Sequence, residues 1–116
     1  MTDRMVRALD RITRVRGVRG AMLVAATDGL LVAEAAMEGV RTAAAAALSA
    51  ALVARLGRAT AASGAGAPTF VHVEAEHGAL LAVPAGDDIL LVTIADPEVN
   101  VGLARLEMLR AVEEVG

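Results

Sequence analysis

The chain has 116 residues, a formal net charge of −3 and no cysteine, which is enough for one core and excludes disulfides, thiolate nucleophiles and thiolate metal sites. All 11 basic residues are arginines, so a P-loop lysine, a Schiff base and a lysine general base are excluded as well. Phe70 is the single aromatic residue, which leaves nothing for base stacking or an aromatic cage, and the net charge gives no global attraction to nucleic acid.

Thr2 or Asp3 can cap a first helix running to about Val15, with Met5, Leu9 and Ile12 on one face. Arg4, Arg7, Arg11 and Arg14 lie on the opposite face. Six arginines against two aspartates make residues 1–20 carry +4, while the rest of the chain carries −7. Asp3 with Arg7 and Asp10 with Arg14 are ordinary i, i+4 pairs, so the stripe reads as a solvated face; the alternative is a surface that steers a partner. Met1 to Arg16 interleaves charge and hydrophobes, unlike a secretory signal, and a cytoplasmic protein is expected.

Gly17 ends that helix. Gly20 to Ala26 and Leu30 to Ala35 read as strands joined by Thr27-Asp28-Gly29, because Asp-Gly between apolar runs supplies the positive φ of a hairpin turn.

A second helix is predicted from Val40 to Leu56, with Gly57 near its end. Leu48, Leu52 and Leu56 form a bulky stripe; Ala43, Ala47, Ala50 and Ala54 line the far side. At about 20 residues a bilayer span is longer than the apolar run 43–54, which Ser49 also interrupts, so no membrane insertion is expected. Apolar character all round predicts burial on two sides, the second covering being another chain. The alternative is that alanine favours helix and sits harmlessly in water.

Thr60 to Pro68 reads as a flexible loop. It precedes a strand and lacks lysine, so it is no phosphate cradle. Thr69 to Ala75, Ala79 to Val83 and Ile89 to Ala95 then form an antiparallel meander, turning at Glu76-His77-Gly78 and at Ala85 to Asp88. The run ILLVTIA belongs mid-sheet with both faces covered. Phe70, His72 and Glu74 alternate with Val71 and Val73, as in an edge strand open to pairing. After Asp96-Pro97 a last helix covers Glu98 to Val115. Val99, Leu103, Leu106 and Leu109 make its main stripe, and Val101, Met108, Val112 and Val115 a partial second one.

No constellation of catalytic residues emerges. His72, Glu74, Glu76 and His77 include metal-ligand types, but strand and turn geometry does not converge three of them, so no metal is expected. Ser49 and Ser63 have no histidine in a hydrolase pattern. Asp87-Asp88 and Glu113-Glu114 are adjacent pairs rather than facing carboxylates. Neither enzymatic activity nor a cofactor is expected.

The order is α-β-β-α-β-β-β-α: an α+β domain over residues 1–116, with a five-stranded antiparallel sheet and helices on both faces. GVRGAMLVAATDGLLVAEA (residues 17–35) and PAGDDILLVTIADPEVNVGLARLEM (residues 84–108) resemble the strand–turn–strand and the last strand with Asn-x-Gly helix opening of the Roadblock (dynein light chain Roadblock) family. That family includes bacterial MglB-like partners of small GTPases. The resemblance implies a profilin-like sheet and a homodimer in which third strands pair edge to edge and second helices pack together. The matching interface positions are Ala43, Ala47, Ala50 and Ala54 with Phe70, Val71, His72 and Val73.

It also implies regulation of a Ras-like small GTPase. MglB-like members stimulate hydrolysis by positioning the GTPase's own groups. Ala43 and Ala47, with Arg41, Arg55 and Arg58, are the corresponding partner-binding candidates, and an arginine supplied in trans is a variant of that reading. The alternative is a structural adaptor that dimerises and bridges proteins without affecting nucleotide state.

Overall fold

A computed structural model describes residues 3–115. The elements are α1 (Asp3–Thr13), β1 (Val18–Ala25), β2 (Leu31–Ala36), α2 (Thr42–Ala62), β3 (Val71–Ala75), β4 (Gly78–Pro84), β5 (Ile89–Ala95) and α3 (Val101–Val115). The strands form one antiparallel sheet in the order β2-β1-β5-β4-β3. The expected element order and sheet are those observed, and β5 is the central strand.

Alternation along the strands builds two cores. Leu23, Leu81, Leu91 and Ala95 face α1 and α3, together with Leu9, Ile12, Ala104, Met108 and Ala111 from those helices. Met22, Val24, Leu90 and Val92 face the other way, onto Ala46 and Ala50 of α2. Helices therefore cover both faces, and burying these side chains is the main force holding the layers together.

The first helix is shorter than expected, ending at Thr13 rather than Val15; Thr2, the alternative cap, lies outside the described residues. Leu9 and Ile12 are buried and Met5 packs against the same core, as the spacing predicts. The arginine stripe is the solvated face expected, with Arg4, Arg7 and Arg14 exposed and Arg11 half-buried, but its expected i, i+4 partners are corrected. The recorded ion pairs of α1 run to α3, not along α1: Arg11 Nε donates to Glu114 Oε1 at 2.9 Å, Arg11 lies 3.6 Å from Glu107, and Arg7 lies 4.0 Å from Glu114. The packing of α1 beside α3 brings these carboxylates closer to the guanidinium groups than Asp3 or Asp10. The hydrogen bond with Glu114 raises the Arg11 guanidinium above its ordinary range; partial burial opposes this, and the charges of Glu114 and Glu107 add to it.

The second helix continues past Leu56 and Gly57 to Ala62, so the expected loop begins only at Ser63. Residues 58–62 are all compatible with helix, and one interior glycine costs only about 1 kcal/mol against alanine. The stop comes at Gly64, whose φ is +81°. The third strand starts at Val71, two residues later than expected.

On α3 the expected stripes exchange roles. Ala104, Met108 and Ala111 face the core, with Val101, Val112 and Val115 packed against it. Leu103, Leu106 and Leu109 point away from it, although Val99, just before the helix, is buried. Small side chains let α3 settle close to the sheet, and Arg11 joins it to α1 through Glu107 and Glu114. Asn100 opens the helix, its Oδ1 accepting the Leu103 N–H at 2.9 Å.

Candidate protein interface

The two sheet edges differ. β3 pairs with β4 in unbroken register from Val71↔Ala82 to Ala75↔Gly78. β2 loses register with β1 between Leu23 and Val24, where Ala33 and Leu31 are partnered and Val32 is not. A bulge on an edge strand discourages further pairing. β3 has no bulge, proline or lysine, so it is the edge open to another strand.

Phe70 and Val71 diverge at the entry to β3. Phe70 packs with the α1/α3 core, and the Arg105 guanidinium stands 4.9 Å from its ring centroid. Val71 belongs to the core under α2. His72 and Val73 continue this alternation outward; Val73 is 39% exposed. Its cross-strand neighbour Leu80, and Ile94 beyond, are only half-buried. α2 packs mainly on β1, β2 and β5, so its side of the sheet keeps an apolar margin towards β3.

One flank of α2 is buried within the chain. Ala46, Ser49 and Ala50 are inside, and Val53 and Leu56 pack against the same core. Leu48 is 70% exposed and Leu52 half-buried, so the expected leucine stripe is split between core and surface. The alanine row is split too: Ala43, Ala47 and Ala54 are exposed, whereas Ala50 is buried against its own sheet. With four residues per repeat against 3.6 per turn, the leucine row drifts around the helix, whereas the alanine row stays on one flank and only Ala50, on its sheet side, is covered.

The β1–β2 turn closes over the Ala47 to Ala54 side and leaves a cleft of about 160 Å³. Arg41, at the N-cap, and Arg55 and Arg58, along the helix, are all exposed. They make no ion pair among the described residues. Of the His72, Glu74, Glu76 and His77 cluster, the structure joins only Glu76 and His77, 3.5 Å apart on an exposed turn.

Both flanks of α2 are apolar, so periodicity does not say which one meets the sheet or that Leu48 of the leucine stripe faces outward. Ser49, which would ordinarily mark the outside, is buried.

No helix among the described residues is long and apolar enough to cross a membrane. The Roadblock/LC7 domain model matches residues 6–95. An uncharacterized protein of Methanocaldococcus jannaschii is 35% identical over 109 residues, covering 94% of each chain. Myxococcus xanthus MglB is similar in structure, with a TM-score of 0.86 and 26% identity over 97% of this chain and 91% of that one. A Roadblock/LC7 domain from Streptomyces avermitilis shares the fold, with a TM-score of 0.85 and 23% identity over 94% and 92% of the two chains.

Proposed function

The chain belongs to the Roadblock/LC7 domain family, and on that premise we propose that residues 1–116 form a non-enzymatic, homodimeric module that binds and regulates a Ras-like small GTPase in the cytoplasm. The observation that carries the dimer is the unblunted β3 edge beside a half-covered apolar margin of the sheet and the exposed outer side of α2. Pairing β3 with its copy extends the sheet from five strands to ten. The same two-fold lays a second α2 over Val73, Leu80 and Ile94. The contact is then made by His72 and Val73 with Leu48, while Ala47 and Ala54 lie on the other flank of α2, beside the β1–β2 turn, and stay outside it. Phe70, Val71 and Ala50 support it from within each protomer.

The GTPase reading rests on family membership and on the MglB likeness. Two copies of α2 side by side present a low, apolar surface of alanines, flanked by Arg41, Arg55 and Arg58. Such a surface suits a partner whose own groups do the chemistry: the arginines contribute recognition and association rate. No described group of His, Asp or Glu is arranged to hold a metal ion, and the proposed role needs none.

The test is capture of neighbouring proteins from an extract of the source organism, followed by binding of the recovered GTPase in its GTP- and GDP-loaded forms. Nucleotide-dependent binding that is lost in Arg55→Glu/Arg58→Glu supports regulation. Binding indifferent to nucleotide, or partners that never include a GTPase, assigns the chain to adaptors that bridge proteins without sensing nucleotide state.

A further inference from the structure

We propose that the groove between α1 and α3 is a docking site for an acidic, leucine-bearing helical segment of a partner protein. The groove holds about 590 Å³ and is bordered by Arg7, Arg11, Arg14 and Arg16 on one side and by Leu103 and Glu107 on the other. Two of its arginines are engaged within the chain, Arg11 by Glu107 and Glu114 and Arg7 by Glu114. Arg14 and Arg16 are exposed and make no ion pair among the described residues. Asp10 on the same rim offsets only part of that charge.

The apolar half of the site is a ridge. Leu103, Leu106 and Leu109 are 44%, 44% and 41% exposed, and their i, i+3, i+6 spacing forms an oblique row along α3. A row of this kind is what a second helix packs into its own grooves. Single exposed leucines are ordinary, but Leu103 lines the groove with Arg14 and Arg16 and the row leads from it across the outer face of α3, so the surface has two complementary demands, apolar cover and negative charge. A helix with one leucine stripe flanked by carboxylates meets both.

The lining agrees: four arginines against Asp10, Glu107 and Glu114 leave the groove net positive in a chain whose net charge is −3, so an acidic partner is drawn to this end. The groove lies on the sheet face opposite α2. It stays open in a dimer built on β3 and α2, and it does not depend on the GTPase reading.

The test is fluorescence anisotropy of a labelled peptide of about 18 residues, with leucine at every third or fourth position and glutamate elsewhere, titrated with the full chain. Saturable binding is expected, weakening about tenfold between low salt and about 0.3 M NaCl. The expected loss is also about tenfold in Arg14→Glu/Arg16→Glu and in Leu106→Asp, all surface positions, with unchanged circular dichroism. Leu48→Glu, on the other sheet face, binds as the wild type does. Equal affinity in the charge-reversed variant, preference for a lysine version of the peptide, or binding to phosphatidylserine vesicles in place of the peptide overturns the proposal.

Discussion

Gly29, at the tip of the β1–β2 hairpin, closes directly onto the backbone of Ala47: a Cβ built on Gly29 would stand 2.9 Å from the Ala47 Cα. The φ of Gly29 is +75°. Hairpin and helix are therefore held together where the turn has no room for a side chain, and this contact sets how far the α2 surface stands from the sheet.

Gly29→Ala is expected to combine left-handed strain with overpacking against α2, a loss of roughly 3 kcal/mol. Gly39→Ala is the control. Its φ is +93° but nothing lies within 4 Å of the added carbon, so it should lose only about 1–2 kcal/mol. Urea unfolding of the two variants measures the difference.

Thr93, between Ala21 and Leu81 in the centre of the sheet, is fully buried, and its hydroxyl has no hydrogen-bond partner. Thr93→Val keeps the shape and removes the unpaired group. Stability should rise by about 1 kcal/mol, seen as a higher urea midpoint with an unchanged slope. A fall would mean that the hydroxyl is satisfied in solution.

Asn100 accepts the Leu103 N–H at the start of α3. Asn100→Ala should cost about 1 kcal/mol, and Asn100→Asp should retain most of the stability, since aspartate caps equally well. Thermal unfolding of both variants distinguishes the cap from a general surface effect.

Arg11 and Glu114 couple α1 to α3. A double-mutant cycle with Arg11→Ala and Glu114→Ala should show a favourable interaction that shrinks in about 1 M NaCl, where screening shortens to about 3 Å. Zero coupling at low salt would show that apolar packing alone sets the rotation of α3.

The parts legible in the sequence are those where one local signal has one reading. Asp28-Gly29 between apolar runs gives the hairpin, the almost continuously apolar run of Ile89–Ala95 gives a strand covered on both faces, and the alternation from Phe70 to Glu74 gives an edge. Faces were harder wherever two apolar stripes compete. On α3 the leucines outweigh Ala104, Met108 and Ala111 in hydrophobicity, yet close approach to the sheet favours the smaller set. On α2, Ala50 reads like Ala43, Ala47 and Ala54 but falls on the sheet side. The reach of Arg11 to Glu114 spans 103 positions in the chain, and no local pattern could announce it.

The edge of β3 and the outer side of α2 are most directly tested by sedimentation equilibrium of the wild type beside Val73→Glu and Leu48→Glu. The wild type should sediment at twice the mass of one chain, and both variants, substituted at exposed positions, should sediment as folded single chains. A monomeric wild type, or variants that dimerise as tightly as it does, would contradict the proposed assembly.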